Sequence, residues 1–223
     1  MPGDADEQFH SINPDVGAWS ESFYFVRSPP TPRPRPRPLP PHPPDLALGP
    51  GPPDHSVHTT LLQNFTDPST GLAMMTRMGF RPNEQYCDGL HVVYLGGQRL
   101  AFTHSAGRLT DGFPEVDDGL TVGGLTLEMI EPFRKWAVVY KGPCEDVPDG
   151  GVLLQRKKER PEGWMSPANL EMRVEFTATA DAFYTADDER HGHFEQVGDV
   201  VGSVTLGAET WQINGRGVRD KSW

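Results

Sequence analysis

Alternation with a period of two runs through most of the chain. In LEMRVEFTATA, residues Leu170, Met172, Val174, Phe176, Ala178 and Ala180 fall on one side, and Glu171, Arg173, Glu175, Thr177 and Thr179 fall on the other. That is the pattern of an antiparallel strand with one buried face. CDGLHVVYLGGQRLAFTH reads as a hairpin: Leu90, Val92 and Tyr94 share an apolar face before Gly96-Gly97, and Leu100 and Phe102 continue it afterwards. The two glycines supply the positive φ of a tight turn. TVGGLTLEMIEPFRKWAVVYKG predicts two more strands, one through Leu125, Leu127 and Met129 and one through Trp136, Val138 and Tyr140. Pro132 separates them because it cannot donate to a ladder. Val200, Gly202, Val204 and Leu206 alternate, a turn follows at Gly207-Ala208-Glu209, and Trp211 and Ile213 resume. No helix longer than two turns is predicted. Loops are expected at Asp111–Gly119 and, longer and polar, at Pro143–Asn169. At least eight strands with short turns predict an all-β fold, an antiparallel up-and-down barrel or a strongly bent sheet. A closed barrel of that size can hold a small apolar ligand.

One stretch breaks the pattern. SESFYF alternates as a strand, and VRSPPTPRPRPRPLPPHPP follows with no turn signal. Removing residues 26–63 restores consistency. Trp19, Glu21, Phe23, Phe25 and Phe65 then share a face, Thr66-Asp67-Pro68-Ser69-Thr70-Gly71 forms a turn, and Leu72, Met74, Thr76 and Met78 return. The removed stretch holds 13 of the 23 prolines and is expected to be polyproline II or disordered, a solvated insertion within the first hairpin. Two other readings stand beside that one. Arg35 to Pro41 fits the Arg-then-PxxP pattern of ligands for SH3-type domains. The codons available for Val26-Arg27 and for Thr60-Leu61-Leu62-Gln63 also allow splice-site borders, so the segment reads as translated intron sequence. The resulting division is a flexible N-terminus at 1–17, a β domain at 18–223 and the insertion at 26–63.

Composition narrows the function. With 223 residues the chain makes one large domain or two small ones. Its formal net charge is -11, which argues against a nucleic-acid partner and against adhesion to anionic membrane. Cys87 and Cys144 are far apart and in no paired spacing, so neither a disulfide framework nor a zinc motif is predicted. The N-terminus MPGDADEQFH is acidic with no apolar h-region, and no apolar run approaches the roughly 18 residues of a membrane span. A cytoplasmic location is therefore expected. Asn64-Phe65-Thr66 is a formal glycosylation sequon, idle without a signal peptide.

Candidate chemistry is sparse. There is no G-x-S-x-G elbow, phosphate loop, Rossmann fingerprint or H-E-x-x-H. His191-Gly-His193 beside Asp187-Asp188-Glu189 lacks a third ligand at a recognisable spacing, so no metal and no cofactor is predicted. Two polar clusters beside aromatics stand out: Trp19-Ser-Glu21 with Arg81-Pro-Asn83-Glu84, and the terminal GRGVRDKSW. A carboxylate desolvated beside Trp at a barrel mouth can act as a general acid. Asp220 and Glu21 are the catalytic candidates. Trp19, Arg81, Asn83, Glu84, Trp136, Arg219, Ser222 and Trp223 are the ligand-binding candidates. The structural alternative is an ion pair that pins strand ends, with Arg219 and Asp220 on opposite faces wherever that segment is extended.

Taken together, WSESFYF, NFTDPSTG, MGFRPNE, EPFRKWAVVYKG and QVGDVVGSVTLGAETWQINGRGVRDKSW resemble the lipocalin-like superfamily of hydroxyneurosporene synthase (carotenoid hydratase) and AttH-type proteins. The likeness is to the N-terminal domain of an uncharacterised branch. It implies a calycin-type barrel that binds an apolar, polyene or polycyclic ligand. Some relatives catalyse cofactor-free hydration or cyclisation. The branch usually has His where this chain has Lys221, which withdraws a proton-transfer role from that position. It also usually continues past the final Trp into a second lipocalin-like domain, so the resemblance implies one half of a two-domain pair, with the missing half or a second copy as partner. The expected function is binding of a hydrophobic small molecule, within a cofactor-independent hydratase or isomerase or as a non-catalytic carrier.

Overall fold

The computed structural model describes residues 59–81, 85–108, 120–187 and 192–222. Its strands are β1 (Thr59–Asp67), β2 (Leu72–Arg81), β3 (Tyr86–Leu95), β4 (Leu100–Arg108), β5 (Leu120–Val122), β6 (Leu125–Glu131), β7 (Lys135–Val147), β8 (Ser166–Ala178), β9 (Phe183–Asp187), β10 (Gly192–Leu206) and β11 (Glu209–Ser222). Two short 3-10 turns, Gly150–Leu154 and Lys157–Glu159, lie between β7 and β8, and no α-helix occurs among the described residues.

Every pairing is antiparallel. The order β4-β3-β2-β1-β11-β10-β8-β7 closes on itself because β4 also pairs with β7, through Leu100↔Val147, Ala101↔Asp146 and Phe102↔Glu145. The result is a closed, lipocalin-like barrel of eight strands in up-and-down order. The β5–β6 hairpin extends from β7, and β9 pairs with the start of β10. Arg99 clamps the seam. It donates from Nε and one terminal nitrogen to Asp146 at 3.0 and 2.8 Å, and from the other terminal nitrogen to Glu209 at 2.8 Å. Such a forked, charge-assisted pair fixes orientation as well as distance.

Alternation places the core. Phe65, Met74, Met78, Phe80, Val93, Trp136, Met172, Val174, Phe176, Val200 and Ile213 all belong to one buried cluster, which fills the barrel interior. Leu120, Val122, Leu125 and Leu127 of the β5–β6 hairpin join it. A Cβ at Gly89 would meet the Val122 side chain at 3.3 Å, so the missing side chain makes room for that hairpin. At the β1–β2 turn, the Asp67 carboxylate accepts from the Ser69 hydroxyl and amide and from the Asn214 amide. Those bonds hold its pKa down at about 2, and the turn ends at Gly71 with φ 73°.

Three expectations need correction. The apolar face predicted for the β3–β4 hairpin is the outer one. Cys87, Gly89, His91, Val93 and Leu95 alternate toward the interior, and Val92, Leu100 and Val147 form a second cluster outside with Met75, Leu90, Phe102 and Trp164. Tyr94 is exposed. Both faces of β3 are apolar, so alternation alone could not choose between them. The Pro143–Asn169 loop is shorter than expected, since β7 runs to Val147 and β8 starts at Ser166. Pro143 is tolerated because β6 leaves that edge of β7 after Tyr140 and β4 reaches it only at Glu145. Finally, residues 59–63 of the stretch read as an insertion lie in β1, paired with both β2 and β11, and Gln63 is buried. Residues 26–58, like the predicted Asp111–Gly119 loop, lie outside the described residues.

Candidate functional site

The polar residues of the wall gather where the end of β11 meets the start of β10 and the first described residues of β1. Register decides which side each one takes. Gln63, Arg219 and Gln196 are aligned across β1, β11 and β10, and Lys221 is aligned with Phe194. These face the interior. Arg219, 1% exposed, donates to Gln196 Oε1 at 2.9 Å, and its guanidinium lies over Phe194 at 4.8 Å and Trp136 at 5.2 Å. Gln196 in turn donates to the carbonyls of Phe133 at 2.6 Å and Ala180 at 3.1 Å. The planar cation is held between aromatic faces, which compensates part of its lost hydration.

Deeper inside, His91 is fully buried on β3. Its Nδ1 shares a hydrogen bond of 2.7 Å with the Thr76 hydroxyl, and its ring stacks on Tyr140 at 5.5 Å. Nε2 has no hydrogen-bond partner. Burial lowers the imidazole pKa to about 3, so the ring is neutral in the folded protein. Thr76, His91 and Thr103 are directly aligned on β2, β3 and β4, and the Tyr140 hydroxyl donates to the Pro143 carbonyl at 2.5 Å and lies 3.2 Å from Thr103 Oγ1. This row adds to Gln63, Gln196, Arg219 and Lys221 as polar content of the interior.

The outer face at the same end carries different chemistry. Glu195 is directly opposite Asp220, and His193 directly opposite Ser222. His193 Nε2 lies 3.4 Å from Asp220 Oδ2 and 3.6 Å from Glu195 Oε1, and Nδ1 lies 3.0 Å from Ser222 Oγ. Burial pushes the Asp220 carboxyl up to about 6, against the opposing pull of His193. Further round the wall, Arg77 and Arg81 both pair with Asp88, and Arg81 lies over the Tyr86 ring at 5.1 Å. Gly79 sits between the two arginines, where a side chain would collide with Arg77 and Asp88.

The predicted site set is therefore divided. Trp136 and Arg219 come together inside the barrel. Asp220 and Ser222 come together outside it, joined by His193. Arg81 stands in the separate Asp88 cluster. Trp19, Glu21, Asn83, Glu84 and Trp223 lie outside the described residues. The expected opposition of Arg219 and Asp220 holds: the first is inside and the second outside. Glu195, His91, Gln63 and Gln196 were not anticipated. Glu195 follows His193 at the i+2 spacing that shares a strand face, and His91 occupies an inward position of an alternating strand. Both thiols are buried, which raises the pKa of Cys87 and takes that of Cys144 to about 11, so neither is poised as a nucleophile.

Residues 46–223 match the family described as a domain of unknown function, DUF7064. The chain belongs to that family. No curated protein and no solved structure matches it. The matched DUF7064 region takes in β1 and the whole barrel, and it starts within the stretch that the hydrophobic pattern sets apart. No helix among the described residues is long and apolar enough to cross a membrane.

Proposed function

We propose that this DUF7064 domain binds a hydrophobic small molecule inside its barrel and acts as a carrier. The observation that carries the reading is a closed eight-stranded wall around an apolar interior with polar side chains at defined places. The interior is filled, so a ligand enters by displacing side chains. Met74, Met78 and Met172 line it, and methionine is the apolar side chain that repacks most readily. His91 Nε2, buried without a partner, offers one hydrogen bond to a polar group on the ligand. The resemblance to hydroxyneurosporene synthase-like and AttH-type proteins points to the same ligand class, polyenes and terpenoids.

The carrier form is favoured over a hydratase or isomerase by the position of Asp220. The described acid candidate stands on the outer face, with β11 between it and the interior. The test is a titration of polyenes, terpenoids and fatty acids against the full chain, read by intrinsic tryptophan fluorescence, with chromatography of the recovered ligand. Saturable binding and unchanged ligand are expected. Lack of saturable binding across the panel would overturn the proposal, and a hydrated or isomerised product would overturn its carrier form.

A further inference from the structure

The outer face of β10 and β11 holds an arrangement that its own charges do not explain. Glu195 and Asp220 are directly opposed across two antiparallel strands, a like-charge pairing that destabilises a sheet. Asp220 is only 5% exposed, so water does little to relieve it. The hydrogen-bond order around it is fixed by which groups can donate. Asp220 Oδ1 accepts only, and Ser222 Oγ lies 3.5 Å away with a single hydrogen to give. Ser222 Oγ then accepts from His193 Nδ1–H at 3.0 Å. On its other side the ring turns Nε2 toward Asp220 Oδ2 at 3.4 Å and Glu195 Oε1 at 3.6 Å. A ring nitrogen and two carboxylate oxygens thus converge on one point of the outer face.

The geometry points to a divalent cation site of the zinc class formed by His193 Nε2, Asp220 Oδ2 and Glu195 Oε1, with at least one position left for water. The ligand atoms all lie within 4.8 Å of one another. Bonds of about 2.1 Å in a tetrahedral arrangement put ligand atoms about 3.4 Å apart, and two of the separations already match. The third is adjustable, because the Glu195 side chain is 44% exposed and free to move. An imidazole nitrogen with two carboxylate oxygens suits a borderline cation better than magnesium or calcium, which favour oxygen alone. Ser222 supplies the outer hydrogen bond that orients a ligating histidine.

The measurement is a calorimetric titration of Zn²⁺ into the full chain after chelator treatment, repeated with Co²⁺ and read by visible absorption. One equivalent is expected to bind, with a Co²⁺ spectrum of low coordination number. His193→Gln and Asp220→Asn are expected to abolish it, Ser222→Ala to weaken it about tenfold, and His104→Gln, on an exposed residue of β4, to leave it unchanged. Circular dichroism checks that each variant folds, and Glu195→Gln replaces Asp220→Asn if the latter does not. Lack of stoichiometric binding would overturn the site, as would affinity that survives in His193→Gln or matches that lost in His104→Gln.

Discussion

On the inner face of the barrel wall, Arg219 lies between the rings of Phe194 and Trp136, and its bond to Gln196 continues to the carbonyls of Phe133 and Ala180. On the outer face, one residue later, Asp220 stands opposite Glu195 with His193 beside both. The peptide between them is the thickness of the wall. Inside, charge is tied down by aromatic faces, an amide and the backbone, so it serves the fold and sets the polarity of the chamber. Outside, two carboxylates are gathered around one imidazole nitrogen. Burial alone does not separate the two, since both residues are nearly inaccessible. Under the two proposals the difference lies in what each would exchange: the inner residues with a ligand that enters the barrel, the outer ones with a cation from solvent.

If that contrast is right, substitutions inside should cost stability and those outside should not. The largest effect is expected for Trp136→Ala, which empties a fully buried site and removes one face of the Arg219 sandwich. A loss of about 3–5 kcal/mol in urea unfolding is expected, and a loss near zero would mean that the interior is already loose there. The next effect is on pH dependence. His91 titrates near 3 in the folded chain against an ordinary 6.5. Its folded value is depressed, so its stabilising contribution is complete above about pH 6.5 and is lost as pH falls toward 3. The contribution is on the order of 5 kcal/mol. His91→Gln should flatten that part of the stability curve, and an unchanged slope would place the acid sensitivity elsewhere. The smallest effect is expected for Asp220→Asn. Without cation it should leave stability within about 1 kcal/mol and shift it toward a gain, because the facing Glu195 loses its like-charged partner. A loss comparable to that of Trp136→Ala would show that the outer cluster is structural and break the contrast.

Much of the wall is legible in the sequence. Strand positions, the Gly96-Gly97 hairpin and the turn ending at Gly71 follow from alternation and from residues that tolerate positive φ. So does the opposition of Arg219 and Asp220. The face of β3 is not legible, because Leu90 and Val92 are as apolar as Val93 and Leu95, and their covering partners Val147 and Trp164 lie far along the chain. The His193–Glu195–Asp220 cluster is hidden for a related reason. Its i+2 half is visible, but Asp220 joins only through the register of β10 on β11. His91 was hidden because an inward polar residue looks like a break in a pattern until its partners Thr76 and Tyr140 are placed.

The most direct test of the barrel as a binding chamber uses the methionines as reporters on both faces of one wall. Met74 faces the interior and its neighbour Met75 packs outside, with Met78 and Met172 also inside and Met165 on the exposed surface. Methyl NMR of the methionine-labelled chain, with and without a saturating polyene, should move the signals of Met74, Met78 and Met172 and leave those of Met75 and Met165 in place. Binding that shifts Met75 or Met165 while the inner methionines stay fixed would contradict the account.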